Sequence, residues 1–145
     1  MNQINLICLG VRNIQASLAF YRDGLDFETS VKENSPNIVF FNNNGTKLEL
    51  FPLEQLQKDI GADNPPELST GGFPGFTLAY NAKTEQEVDY VIEKAARAGA
   101  TIIKQPQRVD WGGYSGYFTD PDGYYWEVAF SEHWKFDENN MLIID

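Results

Sequence analysis

The tetrapeptide Asp120-Pro121-Asp122-Gly123, set between two β-rich runs at 114–119 and 124–130, constrains the fold of this chain more than any other segment. Pro121 presets one turn dihedral and Gly123 supplies a positive one, so the four residues close a tight hairpin. A hairpin fixes register. With 121–123 as its loop, Asp120 lies opposite Tyr124, Thr119 opposite Tyr125, Tyr117 opposite Glu127 and Ser115 opposite Ala129. Strand alternation puts the last three pairs on one face and Phe118, Trp126 and Val128 on the other. The second face is bulky and wholly apolar, which suits packing beneath a helix. Glu127 is therefore predicted on the more polar face. A carboxylate in a strand of Tyr, Trp and Val costs free energy unless it has a partner or a task.

The rest of the chain reads as one pattern used twice. The first copy opens with a strand at 4–11, in which Ile7, Leu9 and Val11 alternate. Asn13 is placed to cap a helix whose apolar stripe is Ile14, Leu18, Tyr21 and Leu25, and Gly24 is placed to end it. Strands follow at 27–32, 37–41 and 46–51, with Asn43-Asn44-Gly45 turning between the last two. The second copy has a strand at 75–80 and a capping box from Thr84 to Glu87. Its helix carries the stripe Val88, Val91, Ile92, Ala95 and Ala96 up to Gly99, and strands follow at 101–104, 114–119 and 124–130. The reading is one α+β domain over 1–145. It holds βαβββ modules at 4–53 and 74–130, a polar linker at 54–73 with a short helix at 53–60, and a tail at 131–145 that packs on the body or on a partner chain. A sheet of this kind has one face covered by its helix and the other open. Two modules can pair into a curved mixed sheet around a cleft.

Eleven basic against twenty-one acidic residues give a net charge of −10, which disfavours nucleic acid and anionic membrane as partners. Cys8 is the only cysteine, so an intrachain disulfide is impossible. No apolar run reaches the length of a membrane span and no basic-then-apolar leader opens the sequence, so a cytoplasmic protein is expected. No Gly-rich phosphate loop, Cys/His zinc cluster or nucleophile elbow appears, and the one histidine, His133, lies in the tail.

The parity test that places Glu127 also sends Lys47, Glu49 and Phe51 to the cleft face of their strand and Leu48 and Leu50 to the core. Glu49 is either a functional carboxylate or a solvated one paired with Lys47. Glu127 is either functional or simply bonded to Tyr117 across the hairpin. Trp111-Gly112-Gly113-Tyr114-Ser115-Gly116-Tyr117 combines rings with glycines. Such a run either stacks a planar ligand or twists a strand whose rings fill a core. The candidate ligand-binding residues are Trp111, Ser115, Tyr117, Tyr125 and Phe51, and the candidate catalytic ones are Glu127 and Glu49.

From about residue 4 to 130 the chain resembles the vicinal oxygen chelate superfamily of glyoxalase I, bleomycin-resistance and extradiol-dioxygenase proteins. The resemblance rests on Val11-Arg12-Asn13-Ile14, Ser17, Phe20-Tyr21, Asp120-Pro121-Asp122-Gly123 and Trp126-Glu127. It implies a dimer, a small-molecule ligand, and metal ligands from the first and fourth strands of each module. The fourth-strand positions match Glu49 and Glu127. The first-strand positions, often His in the family, fall on Leu6 and Gly75, which offer no side-chain donor. Two carboxylates without an imidazole would hold only a weak, largely hydrated divalent ion, so no cofactor is expected. The functions implied are a drug-sequestering type of binding protein, or a lyase, isomerase or dioxygenase-type enzyme using Glu49 and Glu127.

Overall fold

The computed structural model describes residues 1–69 and 71–144. The chain forms two compact units, Met1–Pro74 and Gly75–Asp145.

In the first unit, strand β1 (Leu6–Val11) leads into helix α1 (Ile14–Leu18), which continues as a π-helical segment, Ala19–Gly24. Asn13 caps α1, its Oδ1 accepting from Ala16 N at 3.0 Å. Strands β2 (Val39–Phe41) and β3 (Lys47–Pro52) follow, then helix α2 (Leu53–Ile60). The sheet order is β1-β3-β2, with β1 parallel and β2 antiparallel to β3. Leu9, Val11, Leu48 and Leu50 are buried with Leu18, Phe20, Tyr21, Val39 and Phe41. Tyr21, Phe27 and Phe41 pack ring against ring, with centroids 5.5–5.9 Å apart.

The strand expected at 27–32 is absent from this sheet. Its backbone groups are satisfied in other ways. Asp26 turns the chain at φ 61°, and Phe27 N donates back to Tyr21 O. Thr29 Oγ1 accepts from Val31 N, and the Arg22 guanidinium takes the carbonyls of Val31 and Glu33. One bond, Asn42 N to Glu28 O at 2.7 Å, ties the segment to the end of β2.

The second unit carries strand β4 (Leu78–Asn81), helix α3 (Glu85–Ala98), and strands β5 (Thr101–Arg108), β6 (Tyr114–Thr119) and β7 (Tyr125–Phe130). The order β4-β7-β6-β5 makes a four-stranded mixed sheet in which β4 and β7 are parallel. The capping box forms as the spacing predicts: Glu87 N donates to Thr84 Oγ1, and Glu87 Oε2 accepts from Lys83 N. Gly99 ends α3 in the left-handed region. Strand β5 runs four residues beyond the expected 101–104 because it bulges. Its register with β6 shifts after Ile102 and again after Lys104, the second shift spanning Pro106, which has no N–H to give a ladder.

The tail adds a small hairpin, β8 (Lys135–Phe136) with β9 (Leu142–Ile143). It packs on its own unit. Trp134 stacks on Trp111 at 5.8 Å, and Lys83 reaches both the Phe136 ring and Asn140 Oδ1. Among the described residues, no helix is long and apolar enough to cross a membrane.

Candidate functional site

The β6–β7 hairpin has the register that its turn dictates: Thr119 opposite Tyr125, Tyr117 opposite Glu127, Ser115 opposite Ala129. Asp120 Oδ1 locks the turn by accepting from the backbone N–H groups of Asp122 and Tyr124. Helix α3 covers one face. A Cβ on Gly116, the partner of Val128, would stand 3.2 Å from Ile92 Cδ1 of α3. Phe118 and Trp126 share that face, stacked with their planes 7° apart. Alternation therefore places Ser115, Tyr117 and Glu127 on the face turned away from α3.

Four polar side chains make contact there. Tyr117 Oη donates to Glu127 Oε1 at 2.7 Å. Lys104, the β5 residue paired with Tyr117, holds its ammonium 5.6 Å from the Tyr117 ring centroid and donates to Ser115 Oγ at 3.2 Å. Burial first, then the hydrogen bond to Glu127 and its charge, pushes the Tyr117 phenol up to about 12. Ser115 is buried, while Lys104, Tyr117 and Glu127 are half-buried and Ala79, beside Glu127 on β4, is exposed. Tyr125 lies on the same face, two residues before Glu127 and opposite Thr119.

Glu49 has a different setting. Its register partners are Cys8 on β1 and Phe40 on β2. It is only 7% exposed and accepts a hydrogen bond from the Cys8 thiol. Lys47 does not pair with it. The Lys47 ammonium donates to Asn43 O. Burial, and then the charge of Glu49, pushes the Cys8 thiol up to about 11, with smaller contributions from the Glu49 hydrogen bond and from Asp59 on α2. Phe51, opposite Gly10, lies where α2 crosses the sheet: Leu53 and Leu56 approach within 3.1 Å of where a Gly10 Cβ would stand.

Trp111 lies in the β5–β6 connection, 52% exposed, and its ring occupies the space that a Gly113 side chain would need. A surface cavity in the first unit, lined by Arg22, Asp26, Phe27, Glu28, Thr29, Val31 and Lys32, contains none of the candidate residues. Two site residues escaped the sequence reading. Lys104 joins the Glu127 face through a bulge that alternation does not predict. Cys8 was legible in principle, since parity on β1 puts it with Leu6 and Gly10 on Glu49's face.

Two positions that often supply metal ligands in the family carry no side-chain donor here. Leu6, at a position where the family often has His, stands opposite Lys47. Gly75 lies outside β4, with φ 83°. Among the described residues, no three His, Cys, Asp or Glu side chains gather as a metal ion would need.

Residues 3–128 match the family model for the Glyoxalase/Bleomycin resistance protein/Dioxygenase superfamily. The chain is 30% identical over 127 residues to the metallothiol transferase FosB of Lysinibacillus sphaericus (strain C3-41), covering 88% of this chain and 81% of that protein. It is 27% identical over 121 residues to YraH of Bacillus subtilis (strain 168), covering 83% and 89%. The crystal structure of a glyoxalase-related enzyme from Fulvimarina pelagi superposes with a TM-score of 0.87 at 30% identity, covering 99% of each chain.

Proposed function

The chain belongs to the Glyoxalase/Bleomycin resistance protein/Dioxygenase superfamily, and we propose that it binds a small organic molecule on the Glu127 face of its second unit without classical metal chemistry. The observation that carries this reading is the Tyr117–Glu127 hydrogen bond with Lys104 against the same ring, on the sheet face that α3 leaves uncovered. Ser115 and Tyr125 supply further hydroxyls there, and Trp111 a further ring. A divalent cation would be weakly held at most, because Leu6 and Gly75 bring no donors. The same reading makes the protein a cytoplasmic homodimer, in keeping with its one free thiol and with the family resemblance.

A second reading has specific support. FosB is named as a metallothiol transferase and the Fulvimarina protein as a glyoxalase-related enzyme, and both carboxylates of the family pattern persist here as Glu49 and Glu127. In that case Glu127 accepts a proton from the substrate, with Tyr117 holding it in place.

Thermal unfolding against a panel of amphipathic ring compounds, bleomycin included, tests the binding reading. A true ligand at about 100 times its Kd stabilises by about 2.7 kcal/mol. Glu127→Gln is expected to remove that shift. A panel with no stabilising member, or an equal shift in the variant, would refute the assignment. Turnover of a thiol-adduct substrate by metal-stripped protein would favour the enzymatic reading.

A further inference from the structure

Lys104 is a cation with only neutral partners. Its ammonium touches the Ser115 hydroxyl and the Tyr117 ring, and among the described residues no carboxylate stands within ion-pair distance of it. This is unusual in a chain with twenty-one acidic residues and eleven basic ones. Holding a half-buried ammonium against a hydroxyl and a ring recovers only part of its lost hydration. An anion would supply the rest. Lys104 has three N–H donors, of which one serves Ser115. The buried Ser115 hydroxyl accepts from Lys104 and keeps its own proton to give.

Glu127 sets the opposite requirement at the other end of the group. Its Oε1 is taken by Tyr117, and Oε2 remains as an acceptor. An anionic group placed there would meet like charge, whereas an N–H or O–H would be welcomed. The Tyr117 ring lies between the two ends.

From this arrangement, and resting on the binding reading above, we infer that Lys104 determines specificity: the ligand carries an anionic group, a carboxylate or another oxyanion, seated on Lys104 and Ser115, and a hydrogen-bond donor directed to Glu127. A ring or other flat apolar part covers Tyr117.

Two fluorescent probes separate the parts of this statement. 1-Anilinonaphthalene-8-sulfonate has rings, an N–H and an anionic group. N-phenyl-1-naphthylamine has the rings and the N–H alone. Both are titrated into the full-length wild type, Lys104→Met and Lys104→Arg, with circular dichroism confirming the fold. A charge-assisted hydrogen bond of about 1.5–3 kcal/mol predicts that Lys104→Met weakens the sulfonate probe by about tenfold or more. The neutral probe should be unaffected, and Lys104→Arg should retain most of the sulfonate affinity. Equal losses for both probes would make Lys104 a packing residue, and no loss for either would remove it from the site; both results overturn the inference while leaving ligand binding intact. If neither probe binds the wild type saturably, the binding reading itself fails and takes the inference with it. Should Lys104→Met not fold, salt dependence in the wild type decides: added sodium chloride must weaken the sulfonate probe selectively, and equal responses would refute the inference.

Discussion

Tyr117 and Glu127 face each other across the β6–β7 hairpin, and the phenol donates to the carboxylate at 2.7 Å. This contact answers the burial cost of a carboxylate in an aromatic strand and leaves one carboxylate oxygen for a ligand. It also has a pH signature. A phenol is neutral when protonated, so a folded-state value of about 12, above the usual 10, means that the native state holds the proton more tightly. The resulting stability is complete below pH 10 and is lost as pH rises from 10 towards 12. Tyr80, raised to about 12 by burial and its hydrogen bond to Glu87, titrates in the same window. In an absorbance titration near 295 nm, Tyr117→Phe and Tyr80→Phe should each remove one late-ionising step, while Tyr114, raised by its hydrogen bond to Asp89, still ionises late in both variants. Glu127→Gln should move the Tyr117 step down without returning it to 10, because burial is the larger cause. A Tyr117 step unmoved by Glu127→Gln would mean that the bond does not form in solution.

Cys8 should be a slow thiol. With its value raised to about 11 by burial and by Glu49, its thiolate is about 100-fold scarcer at neutral pH than in an ordinary cysteine. Reaction with a thiol-specific reagent such as a disulfide dye should be correspondingly slower in the native protein than in denaturant. Glu49→Gln removes the charge and should speed native labelling several-fold. Equal rates in the native and unfolded states would show that the Cys8–Glu49 contact is not maintained.

Gly116 tests the assignment of faces. A Cβ there would meet Lys104 O at 3.0 Å, Pro106 N at 3.1 Å and Ile92 Cδ1 at 3.2 Å. Two of these are backbone atoms in the bulged strand and cannot swing aside. Gly116→Val should cost about 1–3 kcal/mol, measured by urea unfolding, as overpacking does elsewhere. A stability change below about 0.5 kcal/mol would place Gly116 away from α3, and Glu127 would then lose its uncovered face.

What was legible in the sequence was whatever local chemistry decides. Asp120-Pro121-Asp122-Gly123 dictates a turn, the turn dictates register, and register puts Tyr117 against Glu127. Thr84 with Glu87 and the helix at 53–60 are of the same kind, each set by residues within a few positions of one another. The errors came from longer-range competition. Residues 27–32 have strand-like composition, yet Arg22, nine residues before Val31, takes the Val31 carbonyl and that of Glu33 just beyond the segment. Lys104 reached the Glu127 face because the register shift between Ile102 and Lys104 leaves Ile103 as an extra residue and resets the parity of β5, and bulges are fixed by the partner strand as much as by the strand itself. Glu49 was weighed against a Lys47 partner two residues away. Its partner is Cys8, forty-one positions earlier and adjacent only through parallel pairing of β1 with β3.

The metal question yields the last prediction. At the two positions where the family often has His, this chain has Leu6 and Gly75, and the second is more than a missing side chain. Gly75 holds φ 83°, a conformation that a residue with a Cβ adopts only at a cost. Recovering a ligand there would require the backbone to change as well as the residue, which makes Leu6 and Gly75 unlike a site that one substitution would restore. Protein purified without added metal should therefore contain far less than one nickel, zinc or iron per chain by elemental analysis. Gly75→His should lose about 1 kcal/mol of stability or more from strain, and Leu6→His should gain no stoichiometric metal. Elemental analysis returning close to one transition metal per chain in the wild type would overturn both this prediction and the metal-free reading of the Glu127 face, because the ion would then require donors other than those the family pattern supplies.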